Sequence, residues 1–404
     1  MRSVSDQLAA VLGAVGPLPP LEVVLHDAAG CVLAEDVRAG ADLPQADLAA
    51  LDGYAVRASD VVTAAPDGDL TLRVSDDVRA GAPDAPTLVV GAAARIASGA
   101  PMPGGADAVV PLARTDAGDA RVRIRAAVRA GDGVRARAVD VRSGEIALAR
   151  GTRVGAAQIA LLAALGRPRA RVHPKPRVVV VSVGDELVEP GKPVHVGQAY
   201  DANGHALASA VHDAGGTTFR AGAVPDDHSR LRELLEDQLV RADLVITTGG
   251  LSYGAGDTVR DVLAGVGTVR FDALAMWPTR QMGLGEIGDG VPILALPGDP
   301  VAALVAFEVF VRPALLAMAG YADVHRPTIR ARTTSELASH SGFREFVRGR
   351  LVGSPAHGYT FSPVGSPDAL QLSAFARANA LAVVGEEDDS VAAGTELPCL
   401  VLED

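Results

Sequence analysis

The sequence predicts a multidomain protein of mixed α/β and β structure, with a central, mostly parallel α/β domain flanked by smaller β-rich regions. Three observations predict it. The chain has 404 residues, too many for a single hydrophobic core. Between Arg177 and Pro313, β-branched runs alternate with helical periodicity, the pattern of βαβ units. Before and after that stretch, short alternating runs separated by turn residues indicate small β domains.

The elements follow in order. Ser3 to Val15 reads as a short amphipathic helix, with Ser3 as N-cap and Asp6 three residues on. It stops at Gly16, and Pro17, Pro19 and Pro20 stiffen the connector. From Leu21 to Asp42 the pattern is strand, a turn at Ala29–Gly30, and a second apolar stretch from Cys31 to Val37. A small all-β lobe is expected from Tyr54 to Arg129, with strands at Leu70–Val74, Thr87–Val90, Ala108–Leu112 and Arg121–Ile124. Val154 to Leu165 reads as a helix closed by Gly166. Arg177–Val183 is a continuous β-branched run, as in a strand buried on both faces. Helices are expected at Asn203–Ala214, His228–Ala242 and Val301–Ala319, and strands at Thr217–Ala223, Leu244–Thr248 and Ile293–Leu296. Beyond Arg326, strands at Thr328–Thr333, Glu345–Leu351, Leu381–Val384 and Leu397–Leu402 suggest a C-terminal β domain.

Composition excludes several function classes. Apolar residues are 48% of the chain and aromatics only 3%, so the cores are Ala, Val and Leu, and a base-stacking sheet is ruled against. A net charge of −12 argues against a nucleic-acid partner, whose affinity rests on neutralising phosphates. Lys175 and Lys192 are the only lysines. Cys31 and Cys399 have no metal spacing and suit a reducing cytoplasm. Asp6 and Gln7 interrupt any signal-peptide pattern. No apolar run approaches the ~18 residues of a membrane span, so no membrane partner is expected.

Ligands of open parallel sheets bind beyond the carboxyl ends of the strands. Three loops at such ends are rich in Gly, Pro and carboxylates. Ser182–Gly191 offers Gly184 for a tight turn, then Asp185 and Glu186. Thr247–Asp257 offers Gly249 and Gly250 for close backbone approach to a phosphate, with Ser252 in the same loop; Asp257 at its end could hold Mg²⁺. Leu296–Pro300 turns straight into a helix whose N-terminus suits an anion. Each loop alone is ordinary turn chemistry; all three at one sheet edge favour a binding site. Gly283–Gly288 matches GxGxxG, but it neither follows a buried strand nor opens a helix and is read as a chance match.

In collinear order, LDGYAVRASD (Leu51–Asp60), RIASGAPMPGGADAVV (Arg95–Val110), SVGDELVEPG, GQAYDANG, VPDD, TTGGLSYGAGD, LPGDPVAALVAFEVFVRP, FREFVRG and ARANALAV resemble the molybdopterin molybdenumtransferase family (MoeA and the E domain of gephyrin). The resemblance covers essentially the whole chain. It implies an elongated homodimer whose subunit has a discontinuous N-terminal domain (1–42 plus 140–172), a β-rich lobe (43–139), an α/β molybdopterin-binding domain (173–322) and a C-terminal β domain (323–404). The site would lie in a cleft between the α/β domain of one subunit and the β lobe of the other. The implied reaction takes adenylyl-molybdopterin and molybdate, releases AMP by metal-assisted pyrophosphate cleavage, and inserts molybdenum at the dithiolene. The molybdopterin adenylyltransferase is an implied partner. Mg²⁺ would be held by Asp185, Glu186, Asp227 and Asp257. Asp52, Ser98 and Asp140 match further polar site positions, and Arg280 falls where the family carries the lysine of Pro-Gly-Lys-Pro. Gly184, Gly249, Gly250, Ser252, Gly298, Asp299 and Pro300 would cradle the ligand.

Departures from the family pattern cluster in these motifs. Ser-Ala-Met-Asp-Gly-Tyr is Ala49–Tyr54 with the serine lost, and Ser-Thr-Gly-Asp-Glu carries Val183. Pro-Gly-Asn-Pro carries Asp299, adding charge beside an expected phosphate, where like charges ~4 Å apart repel by about 1 kcal/mol in water. Trp277 replaces a basic residue, Ala369 a serine and Phe343 an arginine, with Arg344 and Arg348 as stand-ins. Two readings follow: a working, diverged transferase, or a catalytically weak paralogue that binds a pterin or nucleotide as a dimeric scaffold. A nicotinamide-nucleotide amidase-like hydrolase would not explain Leu51–Asp60 or the C-terminal domain.

Overall fold

The computed structural model describes residues 1–83, 85–251, 258–366 and 369–402. They form two compact units. One comprises residues 1–23, 28–34 and 171–404, the other residues 24–27 and 35–170.

The larger unit is built on a six-stranded sheet, in the order Thr217–Val224, Arg177–Val183, Leu244–Thr248, Val291–Leu296, Gln281–Ile287 and Gly267–Ala273. The first four strands run parallel; the fifth runs against them, and the sixth, antiparallel to the fifth, completes the edge. Period-two alternation sends Val178, Val180, Leu244, Ile246, Leu294 and Leu296 into one core. Val179, Val181, Val245, Ile293 and Ala295 enter the other. Each such buried aliphatic side chain contributes about 1.5–3 kcal/mol. Arg177–Val183 and Leu244–Thr248 form over the residues the sequence predicts.

The antiparallel pair at Gly267–Ala273 and Gln281–Ile287 is not predicted by the sequence. It absorbs the GxGxxG match, which is a strand and not a nucleotide loop. A Cβ at Gly285 would run into the Thr268 carbonyl, so the pairing needs glycine there.

Pro300–Met318 is one long helical rod with a π-helical turn at Phe307–Val311. Pro313 has no N–H to give the carbonyl four residues before it, and the chain accommodates the loss by widening that turn. Contrary to the expectation that no apolar run approaches such a length, the rod has 19 residues and, despite Glu308 and Arg312, is long and apolar enough for a membrane span. It is 78% buried within the protein, and so it is a core helix.

The C-terminal strands close into a five-stranded ring. Arg344–Ser354 pairs with both Gly358–Pro363 and Ala380–Val384; Gly358–Pro363 pairs with Thr328–Thr333, which pairs with Glu396–Val401, and that returns to Ala380–Val384. Phe361, Val347, Ala382 and Cys399 fill it. Burial pushes the Cys399 thiol up to about 11. Met276–Trp277 adds to the ring beside Arg344 and Glu345.

The smaller unit has a five-stranded sheet in the order Ala108–Pro111, Gly53–Val56, Ala92–Ile96, Thr71–Val78 and Arg121–Arg123. The strand expected at Thr87–Val90 lies instead at Ala92–Ile96. Val89 and Val90 are exposed, whereas Ala92, Ala93, Ala94 and Ile96 are buried, and Gly91 at φ 75° turns the chain between them. The Asp60 carboxylate accepts the Gly91 N–H at 2.8 Å and fixes that turn.

Candidate active site

At the carboxyl ends of the four parallel strands, buried polar groups tie the loops together. Asp201 caps the Ala202–Asp213 helix. Its Oδ1 accepts from Gly204 N at 2.8 Å and Ser182 Oγ at 2.7 Å, and its Oδ2 accepts from Arg220 at 3.2 Å. Arg220 also donates to both Glu189 oxygens, at 2.8 and 2.9 Å. That hydrogen bond holds Glu189 below its usual range and raises Arg220. Asn203 Nδ2 donates to Thr248 Oγ1 and to Gly298 O, each at 2.8 Å. The Thr248 hydroxyl donates to Pro297 O at 2.7 Å.

Gly249 and Gly250 take positive φ values of 90° and 62°, a conformation that L side chains resist. A Cβ built on Gly298 would lie 3.4 Å from Gly249 Cα, so the two turns touch backbone to backbone. Asp299 caps the following helix, its Oδ1 accepting from Ala302 N at 2.9 Å, with Pro300 in the first turn. The added carboxylate thus does the capping work an asparagine would do.

The acidic loops meet at the neighbouring strand ends. Asp185 Oδ1 accepts from Asp226 N at 3.0 Å. The Glu186 carboxylate covers Gly184, where a Cβ would meet it at 2.5 Å. Asp227 is the N-cap of His228–Leu239, accepting from Ser229 N, Arg230 N and the Ser229 hydroxyl. These bonds hold it below the usual carboxylate range, the Ser229 hydroxyl most. Asp226, which sequence reasoning passed over for its neighbour, leaves Oδ1 buried with no hydrogen-bond partner. Only the doubled Asp-Asp signalled it.

Among the described residues no three carboxylate, histidine or cysteine side chains gather closely enough to hold an ion. Mg²⁺ commonly takes only one or two carboxylates when substrate phosphates complete its shell. Asp185 and the orphaned Asp226 oxygen fit that smaller demand. Asp257 and Ser252 lie outside the described residues.

Pro297 and Asp299 also line a cleft of about 590 Å³ with Trp277, Pro278, Arg280 and Leu370. The Arg280 guanidinium lies over the Phe343 ring at 5.4 Å. Trp277 faces His340 at 4.9 Å, and its indole N–H is buried without a partner. Neither Arg344 nor Arg348 lines this cleft. Arg344 pairs with Glu386 at 2.9 Å and lines a different cleft, beside Leu8 and Phe346. Arg348 is buried and donates to the carbonyls of Ser366 and Ala369. Desolvation lowers its pKa, opposed by the charge of Asp299.

In the smaller unit, Asp52 and Ser98 come together: the Asp52 carboxylate accepts Ser98 N at 2.7 Å and lines a pocket of about 200 Å³ with Asp77, Arg95 and Leu112. Asp140 pairs with Arg135.

Three family models tile the chain. The MoeA N-terminal region (domain I and II) matches residues 2–166. A probable molybdopterin binding domain matches 179–317, and the MoeA C-terminal region (domain IV) matches 330–402. A Mycobacterium tuberculosis protein named molybdopterin molybdenumtransferase 2 is 40% identical over 403 residues, covering 98% of each chain. The chain belongs to the molybdopterin molybdenumtransferase family. It is accordingly a transferase. A second relative from that organism, molybdopterin molybdenumtransferase 1, is 40% identical over 414 residues, covering 98% of this chain and 97% of its own. The crystal structure of a molybdopterin biosynthesis MoeA protein from Pyrococcus horikosii superposes with TM-score 0.82 at 30% identity, covering 100% of this chain and 99% of that one. The architecture of α/β core, β lobe and C-terminal β domain is thus that of the molybdenumtransferases.

Proposed function

We propose that this molybdenumtransferase acts in molybdenum cofactor biosynthesis on adenylyl-molybdopterin and molybdate, releasing AMP in a Mg²⁺-dependent step. The supporting observation is the convergence, at one end of a parallel sheet, of two touching glycine turns, a helix start and a cleft lined by Arg280. Backbone at Gly249, Gly250 and Gly298 can approach a phosphate without side-chain interference. Arg280, braced on Phe343, offers a fixed planar donor to an oxyanion. Asp185 and Asp226 would hold Mg²⁺, which when bound neutralises phosphate charge and polarises the bond that breaks. A homodimer, a cytoplasmic location and association with the adenylyltransferase that supplies the substrate belong to the same reading.

The test is AMP release from adenylyl-molybdopterin by the purified chain, with molybdate, in the presence and absence of Mg²⁺. Release that needs both supports the reading. One observation favours the weaker-catalyst reading: Trp277 and Phe343 put aromatic rings where the family carries cations, and Arg344 and Arg348 are engaged elsewhere. On that reading molybdopterin binds while AMP stays at background.

A further inference from the structure

We infer that Asn203 is a positioning residue for the proposed reaction: its carboxamide sets the spacing between the Thr248–Gly250 turn and the Pro297–Asp299 turn, and through it the shape of the ligand cleft. The inference rests on the functional reading above but goes beyond it, because Asn203 does not line the cleft and acts on it only through the two turns.

The geometry points one way. Asn203 is 8% exposed, and the two hydrogens of Nδ2 go to two different loops, Thr248 Oγ1 and Gly298 O, at 2.8 Å each. A carbonyl only accepts, so the nitrogen has to face Gly298 and the amide orientation is fixed. Thr248 passes the chain on to Pro297 O at 2.7 Å. The bonds from Asn203 and Thr248 therefore close a ring across both turns. No side chain stands between Gly249 and Gly298 to hold that distance by packing. Beyond the last ladder pair, Thr248 with Leu296, one long backbone bond from Gly249 N to Leu296 O at 3.3 Å is what Asn203 reinforces. Asn203 is itself held two residues from Asp201, which is 1% exposed and anchored by Ser182 and Arg220. Pro297 and Asp299 carry the spacing into the wall that also holds Arg280. Asn203 Oδ1 is buried without a partner. That is unfavourable, so a side chain serving packing alone would be apolar here.

The test uses the full chain with Asn203→Leu and Asn203→Asp, each checked for a folded state by circular dichroism. A misplacement of this kind costs on the order of 10²-fold in catalysis. The expected result is a comparable loss in kcat/KM, with molybdopterin affinity about tenfold weaker in both variants at neutral pH. The carboxyl of the Asn203→Asp variant is buried and so titrates high. On acidification it protonates and regains one donor, and molybdopterin affinity recovers relative to Asn203→Leu. A residue that only supports the fold would show no such recovery. Amide hydrogen exchange at residues 247–251 and 296–303 should accelerate in Asn203→Leu and not in the β lobe. Variants that are folded, bind within about twofold of the parent and exchange like it would overturn the inference. If the parent itself neither binds molybdopterin nor releases AMP, the functional reading fails separately. Exchange at the two turns then decides the clamp: acceleration sustains it and parental rates overturn it.

Discussion

Asp226 and Asp227 are adjacent and chemically identical, yet their surroundings separate their work. Asp227 spends one oxygen on the first turn of its own helix, and the Ser229 hydroxyl above all depresses its pKa. A depressed carboxylate stabilises the fold fully above its ordinary value of 3.8 and loses that contribution as pH falls through the lowered one. Asp227→Ala should therefore lower Tm at pH 7, with the gap from the parent narrowing below about pH 4 in a pH series of melts. Asp226→Asn should barely move Tm but should raise the Mg²⁺ concentration needed for AMP release by tenfold or more, on the order of one lost charged ligand. An unchanged Mg²⁺ requirement would count against Asp226 as a ligand. Asp299 is a third case. Asn and Asp cap equally well, so Asp299→Asn should keep the cap but lose the charge that offsets the desolvation of Arg348, lowering Tm slightly. Asp299→Ala loses both and should cost at least about 1 kcal/mol in denaturant melts. Because Asp299 shares its cleft with Arg280, Asp299→Asn should tighten molybdate binding several-fold by removing about 1 kcal/mol or more of repulsion. Calorimetry showing unchanged affinity would place the anion elsewhere.

How well each element could be read from sequence follows from what it buries. Strands buried on both faces carry β-branched runs that admit no other reading, and Arg177–Val183 and Leu244–Thr248 were legible to the residue. The antiparallel pair at Gly267–Ala273 and Gln281–Ile287 was not: Gly283 and Gly285 break the pattern in the second strand. The first does alternate, Val269 and Phe271 against Thr268, Arg270 and Asp272, but is only partly buried and was passed over. The glycine and acidic loops of the site were legible by composition. What sequence could not tell was which side chain a helix start would consume, and so Asp227 was favoured over Asp226. Element-level stability can be tested at the helix containing the π turn. Glu308 on that turn is met by Arg326 Nε and Nη2, at 2.8 and 3.3 Å, with side chains only 13% and 10% exposed. Removing one member leaves a charge buried, so Arg326→Ala should cost about 3 kcal/mol by urea denaturation. Glu308→Leu with Arg326→Met should recover most of that. A double variant no more stable than the single would mean the pair does more than neutralise itself.

At the scale of the molecule, the −12 charge opposes the anionic substrates that the site is proposed to take. The two fields differ in range. The field of the net charge fades beyond the Debye length, about 10 Å at 0.1 M salt and longer at lower salt. Arg280 acts inside the cleft at contact distance, where screening is weak. Added salt should therefore remove the repulsion and leave the attraction. The association rate of molybdate or a phosphorylated pterin should rise modestly between about 0.02 and 0.2 M NaCl, while the dissociation rate changes little. This is the reverse of the steep loss expected for a protein that steers anions with an extended basic surface. Stopped-flow fluorescence can follow the encounter, because Trp277 is the single tryptophan and lines the cleft. A rate that falls steeply with salt would show instead that a local cluster of arginines dominates the approach. The partners of Arg344 and Arg348 make that outcome unexpected: Arg344 pairs with Glu386 at a different cleft, and Arg348, though close enough to feel Asp299, is buried with its donors on the Ser366 and Ala369 carbonyls.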